Sequence, residues 1–235
     1  GKTITLGTNI DLLNKEWVPI GTNSNRFQGT FDGNQKTISN LEGENGLIAY
    51  GGKGDWPVTI KGVTIENANI NSDGSCVAAI LGNGVGEIQD CHVINAIVNG
   101  SGNYIGGIVG QGYVDIAKST VLDSEIVGTG ISVGGLIGFQ GEGNQKISEC
   151  KVSNTDVTGY FRTGGLVGLL HYGNTVEDSS VSGGIVTSTP YNGSAADLKG
   201  KIIKTGGFIG DVHTTNAIVT IKDCSTTASL GGDSQ

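Results

Sequence analysis

A five-residue pattern of two glycines, two apolar residues and a third glycine recurs along the chain and constrains its fold more than any other feature. Its first positions from 78 onward are separated by 28, 28, 30 and 42 residues, and the last interval equals one repeat plus an insertion around 189–200. Self-similarity at such a period is the sequence signature of a solenoid. The copies of this pentad are Gly106–Gly110, Gly134–Gly138, Gly164–Gly168 and Gly206–Gly210, with a degenerate copy at Ala78–Gly82 and a weaker one at Asn45–Ala49.

Two further apolar elements follow each pentad at nearly fixed distances. The first is an aliphatic residue, a small residue three positions on and another apolar residue two beyond it, as in Ile88, Cys91 and Val93. These runs are short, rich in Ile and Val, and bounded by Gly, Asn, Asp and Ser, which is typical of strands and turns. The second element is an apolar residue five positions further on, at Ile70, Val98, Ile126, Val157 and Val186. With the pentad and these two elements, each repeat carries three predicted strands.

A single coil of this kind cannot fold alone. About eight inward side chains gain roughly 16 kcal/mol by burial, whereas fixing about 28 residues of backbone costs roughly 28 kcal/mol or more. Stacking the coils about 4.8 Å apart pairs each strand with its counterparts above and below and aligns equivalent side chains. The predicted fold is therefore an all-β, right-handed parallel β-helix, a solenoid of about six coils.

Two sets of positions are predicted to serve the stacking. Asn and Asp recur at one turn position, where an amide ladder can form and where Asn tolerates a left-handed backbone. Glycine recurs in the pentads, where the backbone turns tightly against the next coil. The predicted structural residues are Asn67, Asn95, Asp123, Asn154, Gly106, Gly107, Gly110, Gly134, Gly135, Gly138, Gly164, Gly165, Gly168, Gly206, Gly207 and Gly210.

Composition agrees with this fold and excludes several classes of protein. Of 235 residues, 42 are Gly and only 3 are Pro, without the every-third-residue glycine of collagen. The chain is 36% hydrophobic and 15% charged, which excludes a disordered polypeptide. Its formal charge of -8 argues against nucleic acid as a partner. No stretch reaches the roughly 18 consecutive apolar residues of a membrane span, and the first residues lack the pattern of a secretory signal.

The first 57 residues precede the regular repeats and contain strand-rich segments such as Trp17–Gly21 and Phe27–Asn34. An open end of a β-helix exposes apolar side chains and unpaired strand edges, so it needs a cap. We therefore expect a single domain over residues 1–235, with an N-terminal cap and first coil over 1–57 and stacked coils over 58–235.

The pentads, together with the Ile-x-x-Cys/Ser-x-Val element that follows them, resemble the GLUG repeat of large bacterial surface proteins. The same repeat occurs in the N-terminal region of streptococcal IgA1-specific metalloproteases. The upstream segments Trp17–Gly21, Phe27–Asn34 and Thr37–Leu41 are similar to the usual lead-in to such arrays. The resemblance covers nearly the whole chain. It implies a secreted or surface-anchored bacterial β-helix with an adhesive or scaffolding role, often one module of a longer polypeptide.

Some β-helices are glycan lyases or hydrolases, and Asn154-Thr155-Asp156 matches the first element of the pectin-hydrolase signature. Such a hydrolase also needs a general acid and base pair with a basic partner. The sequence contains no Asp-Asp pair, no Gly-His-Gly and no Arg-x-Lys, and it lacks the His-Glu-x-x-His of metalloproteases. No catalytic residue and no cofactor are therefore predicted.

Two weaker groupings of side chains could hold a cation. The first is a set of carboxylates in adjacent coils, for which a solvated strand edge is the more ordinary explanation. The second is a pair of histidines at equivalent positions after their pentads, which become neighbours if the insertion loops out. Exposed loop histidines are the commoner outcome, and no metal site is predicted. The groupings are Asp123, Glu125 and Asp156, and His171, His213 and Asp211.

Three of the four cysteines share one column, with serines alternating between them. Cys91, Cys150 and Cys224 are therefore separated by two coils, or about 9.6 Å, which exceeds the roughly 7 Å limit for a disulfide. They are predicted to be free, buried thiols that act as small core residues. Cys76 lies outside this column.

Aromatic residues in or beside loops are the candidates for ligand binding, since aromatic faces stack on sugar rings and anchor protein interfaces. Trp56 lies in a glycine-rich loop and Tyr191 in the longest insertion, while Tyr50 and Tyr172 lie beside loops. The alternative explanation is local packing, in which Trp56 caps the core and Tyr191 packs against its own loop.

Together these features predict a non-enzymatic adhesion or scaffolding module of a bacterial extracellular or cell-surface protein. The module is expected to be a monomeric domain of a longer chain, with a host or neighbouring-cell glycan or protein as its partner. Two alternatives stay open: a carbohydrate-active β-helix module that is a glycan lyase or hydrolase, and a purely structural stalk domain.

Overall fold

The computed structural model of the chain describes residues 1–189, 203–214 and 217–231. All regular structure within these residues is β-strand, and they contain no helix. It follows that the described residues include no helix able to cross a membrane.

The strands are short because glycine and polar turn residues interrupt them. In the first 57 residues they are β1 (Lys2–Thr5), β2 (Ile10–Asp11), β3 (Gly29–Ser39), β4 (Glu42–Gly43) and β5 (Ile48–Gly51). The next are β6 (Val58–Glu66), β7 (Asn69–Ser72), β8 (Leu81–Gln89), β9 (His92–Ile94), β10 (Ile97–Gly100), β11 (Ile105–Gly106), β12 (Val109–Ala117), β13 (Thr120–Leu122) and β14 (Glu125–Gly128). The last are β15 (Ser132–Gly134), β16 (Ile137–Gln140), β17 (Lys146–Ser148), β18 (Lys151–Ser153), β19 (Asp156–Gly159), β20 (Arg162–Gly164), β21 (Val167–His171), β22 (Thr175–Glu177), β23 (Ser180–Ser182), β24 (Ile185–Ser188), β25 (Lys204–Gly206), β26 (Ile209–His213), β27 (Thr220–Lys222), β28 (Ser225–Thr226) and β29 (Ser229–Gly231).

These strands form three parallel sheets whose neighbouring strands come from successive coils. The largest sheet has eighteen strands, the second has seven in the order β4-β7-β10-β14-β19-β24-β29, and the third has four in the order β11-β15-β20-β25. Seven strands stacked in chain order correspond to about six turns of the chain. The prediction of an all-β parallel solenoid of about six coils is therefore confirmed. The right-handed winding and the domain boundaries stay predictions.

The register stacks the predicted apolar columns directly above one another. The columns also continue into the first 57 residues, because Ile4 pairs with Phe31 and Phe31 pairs with Ile60. The N-terminal segment thus joins the same large sheet as the repeats. One column of paired residues is Ile60, Ile88, Ile116, Ile147, Val176 and Ile221.

The side chains of these columns form one hydrophobic cluster that extends from Leu6 to Val186. In the last described coil the equivalent residues are open to solvent, with Ile221 50% exposed and Leu230 62% exposed. Burial of a column therefore depends on having a coil on both sides.

The predicted Asn turn column adopts the left-handed backbone, with φ of 54°, 51°, 49° and 48° at Asn67, Asn95, Asp123 and Asn154. The Asn95 amide donates to Asn67 Oδ1 at 2.7 Å, and the Asn154 amide donates to Asp123 Oδ1 at 3.1 Å. A second left-handed column was not predicted, because Lys118 and Glu149 interrupt its run of aspartates. It contains Asp90, Lys118, Glu149, Asp178 and Asp223.

The cysteine column has the predicted alternation, because the Ser119 hydroxyl accepts from the Cys91 backbone N–H at 3.2 Å and the Ser179 hydroxyl from that of Cys150 at 3.1 Å. Cys91 and Cys150 are buried free thiols, and burial raises the pKa of each to about 12. The prediction of burial is wrong for Cys224, which is only half-buried because it lies in the last described coil.

Candidate functional site

The four-stranded sheet packs against the pentad strands of the large sheet, and we call this two-layered feature the arch. At its glycine-rich base, a Cβ added at Gly134 would lie 2.1 Å from the carbonyl oxygen of Ile137. Such a distance excludes any side chain, so the backbone requires glycine there. A backbone atom lies no more than 2.7 Å from an added Cβ also at Gly106, Gly107, Gly110, Gly135, Gly138, Gly164, Gly165, Gly168, Gly206 and Gly210. Gly207, on the last described coil, differs because its nearest atom is Thr226 Oγ1 at 3.2 Å.

The arch is staggered by one coil. A Cβ at Gly138 would meet the backbone nitrogen of Ile105, in the preceding coil, at 2.6 Å. In the same way β11 contacts β16, β15 contacts β21 and β20 contacts β26. Each of these strands also contacts the pentad strand of its own coil, as β11 contacts β12 and β15 contacts β16, so it packs against two successive coils.

Side chains fill the opposite end of the arch, which we call the mouth. A leading column lies two residues before each pentad, and a trailing column lies directly after its last residue. The composition of both columns changes from coil to coil. The leading column is Cys76, Tyr104, Ser132, Arg162 and Lys204. The trailing column is Tyr50, Asn83, Gln111, Phe139, Leu169 and Asp211.

Polar contacts occupy the N-terminal end of the mouth. The Cys76 thiol donates to Gln111 Oε1 at 3.2 Å, and the Asn83 amide donates to the same sulfur at 3.7 Å. Arg26 Nη1 donates to Asn83 Oδ1 at 2.7 Å, and its guanidinium lies 5.2 Å from the centre of the Tyr50 ring. Tyr50 is therefore covered by a cation on one face.

Aromatic rings occupy the middle of the mouth. The rings of Tyr104 and Phe139 face each other across the arch with centroids 5.0 Å apart, and His171 meets Phe139 edge-on at 4.9 Å. His171 in turn lies 5.1 Å from His213 and 6.2 Å from Tyr172 in stacked arrangements. Ser132 Oγ is buried beside this group and has no hydrogen-bond partner among the described residues.

Charged groups occupy the C-terminal end of the mouth. Asp211 Oδ2 accepts from Arg162 Nε at 2.9 Å, and Asp211 Oδ1 accepts from Lys204 Nζ at 2.5 Å. The Asp211 side chain is 5% exposed, whereas those of Arg162 and Lys204 are 27% and 38% exposed. The carboxylate is thus enclosed while both cations reach the surface.

The pKa shifts follow from these contacts. Burial raises the pKa of Asp211, but the hydrogen bonds from Lys204 and Arg162 outweigh it, and the pKa lies below its ordinary 3.8. Burial and the neighbouring His213 hold the pKa of His171 below 6.5. The Tyr172 hydroxyl donates to Glu142 at 2.5 Å, which raises the pKa of the phenol.

The candidate ligand-binding residues fall in different places. Tyr50 and Tyr172 lie at the mouth, where Tyr50 is partly covered by Arg26. Trp56 lies in a turn closed by the antiparallel bridge between Lys53 and Trp56, and it is 69% exposed. Tyr191 lies outside the described residues.

The predicted proximity of His171 and His213 is confirmed by their stacking. Asp211 lies in the same region, but the described residues contain no group of three or more His, Cys, Asp or Glu side chains that could hold a metal ion. Nothing in the described residues positively indicates catalysis.

The matched hydrolase segment and the acidic grouping have structural roles. Asn154 belongs to the amide ladder, and Thr155 Oγ1 donates to the carbonyl oxygen of Ser153 at 3.0 Å. Asp156 pairs with Glu125 in the neighbouring strand, and its Oδ1 accepts from the backbone N–H of Ile185 at 2.8 Å.

A shallow polar cavity of about 370 Å³ lies along the seven-stranded sheet. Carboxylates and amides line it, including Glu16, Glu42, Glu44 and Asn69. Its lining contains neither an aromatic ring nor a cation, in contrast to the mouth.

Sequence reasoning missed Tyr104, Phe139, Arg162 and Lys204 as members of a site. The signal that marks them is positional: they stand two residues before a pentad or directly after one, where the otherwise regular repeat varies in composition.

Comparison with known proteins adds one similarity to this picture. No family model matches the sequence, and no curated protein matches it. A matching solved structure, at 1.30 Å resolution, is that of a Bacteroides ovatus protein named a "putative immunoglobulin A1 protease". The two chains are 13% identical with a TM-score of 0.49, and the match covers 96% of this chain and 77% of the other.

Proposed function

We propose that this chain is a non-enzymatic adhesion or scaffolding module of the GLUG-repeat kind, in a bacterial extracellular or cell-surface protein. Its partner is a host or neighbouring-cell glycan or protein. The in-register pentads and the apolar columns support the repeat assignment.

One observation carries the proposal: the base of the arch holds glycine in coil after coil, whereas the mouth carries a different pair of side chains in each. If stacking were the only constraint, each column would hold the same type of side chain in every coil, as the aliphatic columns of the core do. The variable columns instead hold aromatic and charged residues such as Tyr104, Arg162 and Lys204, the types that serve recognition.

The backbone beneath the mouth is rigid, because every strand there is hydrogen-bonded to a coil above or below it. A rigid scaffold lowers the conformational entropy lost on binding. The mouth is therefore suited to present side chains to an extended ligand along the solenoid axis.

Binding of the purified protein to an array of glycans and extracellular-matrix proteins tests the proposal. We expect at least one ligand whose binding is lost in Tyr172→Ala or Trp56→Ala and kept in Val18→Ser, a change at an 81% exposed apolar residue of the N-terminal segment. Absence of binding by the folded protein to every member of the array would contradict adhesion and favour the stalk.

A further inference from the structure

The two arginines of the chain, Arg26 and Arg162, lie at opposite ends of the mouth and use their guanidinium groups differently. Arg26 donates from Nη1 to Asn83 and to the Gly52 carbonyl oxygen, and from Nη2 to Asn23. It also covers the Tyr50 ring. Both terminal nitrogens of Arg26 are therefore engaged in holding the fold together.

Arg162 forms its side-chain bond through Nε alone, to Asp211 at 2.9 Å. Within the described chain, its two terminal nitrogens make no hydrogen bond. These nitrogens form the fork of donors that binds a carboxylate or a sulfate with two parallel hydrogen bonds. With respect to the described residues, the fork is thus free, and it belongs to a side chain that is 27% exposed.

Asp211 holds this fork in place. Its carboxylate is almost fully enclosed and binds Arg162 and Lys204 at once, so one negative charge faces two positive charges. Lys204 Nζ has further donors beyond the one given to Asp211. A guanidinium fixed through Nε needs little further ordering when it binds an anion.

Aromatic side chains lie beside these cations. His171 is close enough to Arg162 and Asp211 for both charges to act on its pKa, and it stacks with Tyr172 and His213. Tyr172 is partly exposed, so it can offer a ring face to a sugar.

We propose that Arg162 and Lys204 bind the single oxyanion of an acidic saccharide, whose sugar ring packs on Tyr172 and His213. This assignment rests on the proposed binding function and names its ligand class. An isolated carboxylate or sulfate suits the site better than a dense polyanion, because the protein as a whole carries a charge of -8.

Binding of 3′-sialyllactose, 3′-sulfated lactose and plain lactose, measured by isothermal titration calorimetry, tests the assignment. The first two probes distinguish a carboxylate from a sulfate, and lactose lacks the anion. We expect at least one acidic probe to bind about tenfold or more tightly than lactose, since a charge-assisted bidentate contact contributes on that order.

The variants Arg162→Gln and Arg162→Lys should remove most of this preference, the second because it keeps the charge and loses the fork. Lys222→Gln is the matched control, because it removes one positive charge at a side chain that is 65% exposed and lies outside both columns of the mouth, and it should keep the preference. Thermal unfolding of each variant establishes that it is folded.

Equal affinity for lactose and both acidic probes, or a preference that survives in Arg162→Gln, would overturn the assignment and leave the adhesive function standing. Failure to bind all three sugars, with a positive ligand elsewhere on the array, would also overturn the assignment alone. Failure on both the sugars and the array would overturn the assignment and the proposed function together.

Discussion

The base and the mouth of the arch are built from the same strands but obey different constraints. At the base the two layers approach so closely that a Cβ at Gly134 would lie 2.1 Å from a carbonyl oxygen. At the mouth the same layers are separated by whole side chains, from the ring pair of Tyr104 and Phe139 to the ion pair of Arg162 and Asp211. Because the base alone requires glycine, the side chains of the mouth vary from coil to coil without loss of the fold.

Substitution at the base should have the largest effect on stability. Gly134→Ala forces a Cβ against the Ile137 carbonyl oxygen, and neighbouring coils on both sides prevent relaxation. Overpacking of this kind costs about 3 kcal/mol, and we expect the melting temperature to fall by several degrees in thermal unfolding followed by circular dichroism. Gly7→Ala is the control, because nothing lies within 4 Å of its added Cβ. Equal melting temperatures for the two variants would show that the base is not the constraint.

Removal of the Asp211 carboxylate from the mouth should have an intermediate effect on the free energy of unfolding. Asp211→Asn takes the carboxylate from Arg162 and Lys204, which are partly exposed, so we expect a loss of about 1 kcal/mol in chemical denaturation. Asp223→Asn is the matched control, because the Lys222–Asp223 pair is more than half exposed and its loss should be close to neutral. A loss of the size expected for Gly134→Ala would mean that the mouth is as constrained as the base.

Acidification below about pH 6.5 should lower the stability of the strands around His171 at the mouth. The pKa of His171 is lowered in the folded state, so the unfolded chain binds more protons as the pH falls below about 6.5, and stability falls with it. Full stability is present above that pH. The neighbouring His213, Glu142, Arg162 and Asp211 act on the same ring.

Amide hydrogen exchange at pH 7.5 and pH 5.5, corrected for intrinsic rates, measures this effect. We expect lower protection of β21 and β26 at pH 5.5, with β18 and β23, which contain no histidine, unchanged. His171→Gln should abolish the difference, and a difference that persists in it would assign the effect to another group. Below about pH 4 a further loss is expected, because the lowered pKa of Asp211 stabilises the fold above 3.8 and this contribution disappears as the carboxylate is protonated.

The smallest effect on stability is expected at Ser132, where a gain or a loss shows whether its hydroxyl has a hydrogen-bond partner. Ser132 Oγ is buried without a partner in the described chain, so Ser132→Ala should be neutral or stabilise by about 0.5 kcal/mol. Ser179→Ala is the contrast, because the Ser179 hydroxyl donates to the backbone carbonyl oxygen of Glu177 and accepts from the backbone N–H of Cys150. We expect this variant to lose about 1 kcal/mol of stability. A clear loss in Ser132→Ala, measured by thermal unfolding, would mean that the hydroxyl has a partner in solution.

The repeat period alone predicted the solenoid, the strand columns and the Asn ladder, since each depends on residues one coil apart in sequence. The arch was not predicted, because Tyr104 meets Phe139 across a stagger of one coil that the spacing does not encode. Lys118 and Glu149 adopt left-handed φ because the coils on either side impose it, against the preference of these residue types. Arg162 carries no motif, and its role depends on which of its nitrogens Asp211 leaves free.

The stagger of the arch also gives the molecule a mechanical polarity. Because β11 lies against β16 and β15 lies against β21, each coil is partly covered by the coil that follows it in sequence. Removal of the C-terminal coil therefore exposes a strand of the four-stranded sheet, whereas removal of the N-terminal coil requires such a strand to be pulled out from beneath the next coil. A pulling force applied along the axis would therefore meet different resistance at the two ends.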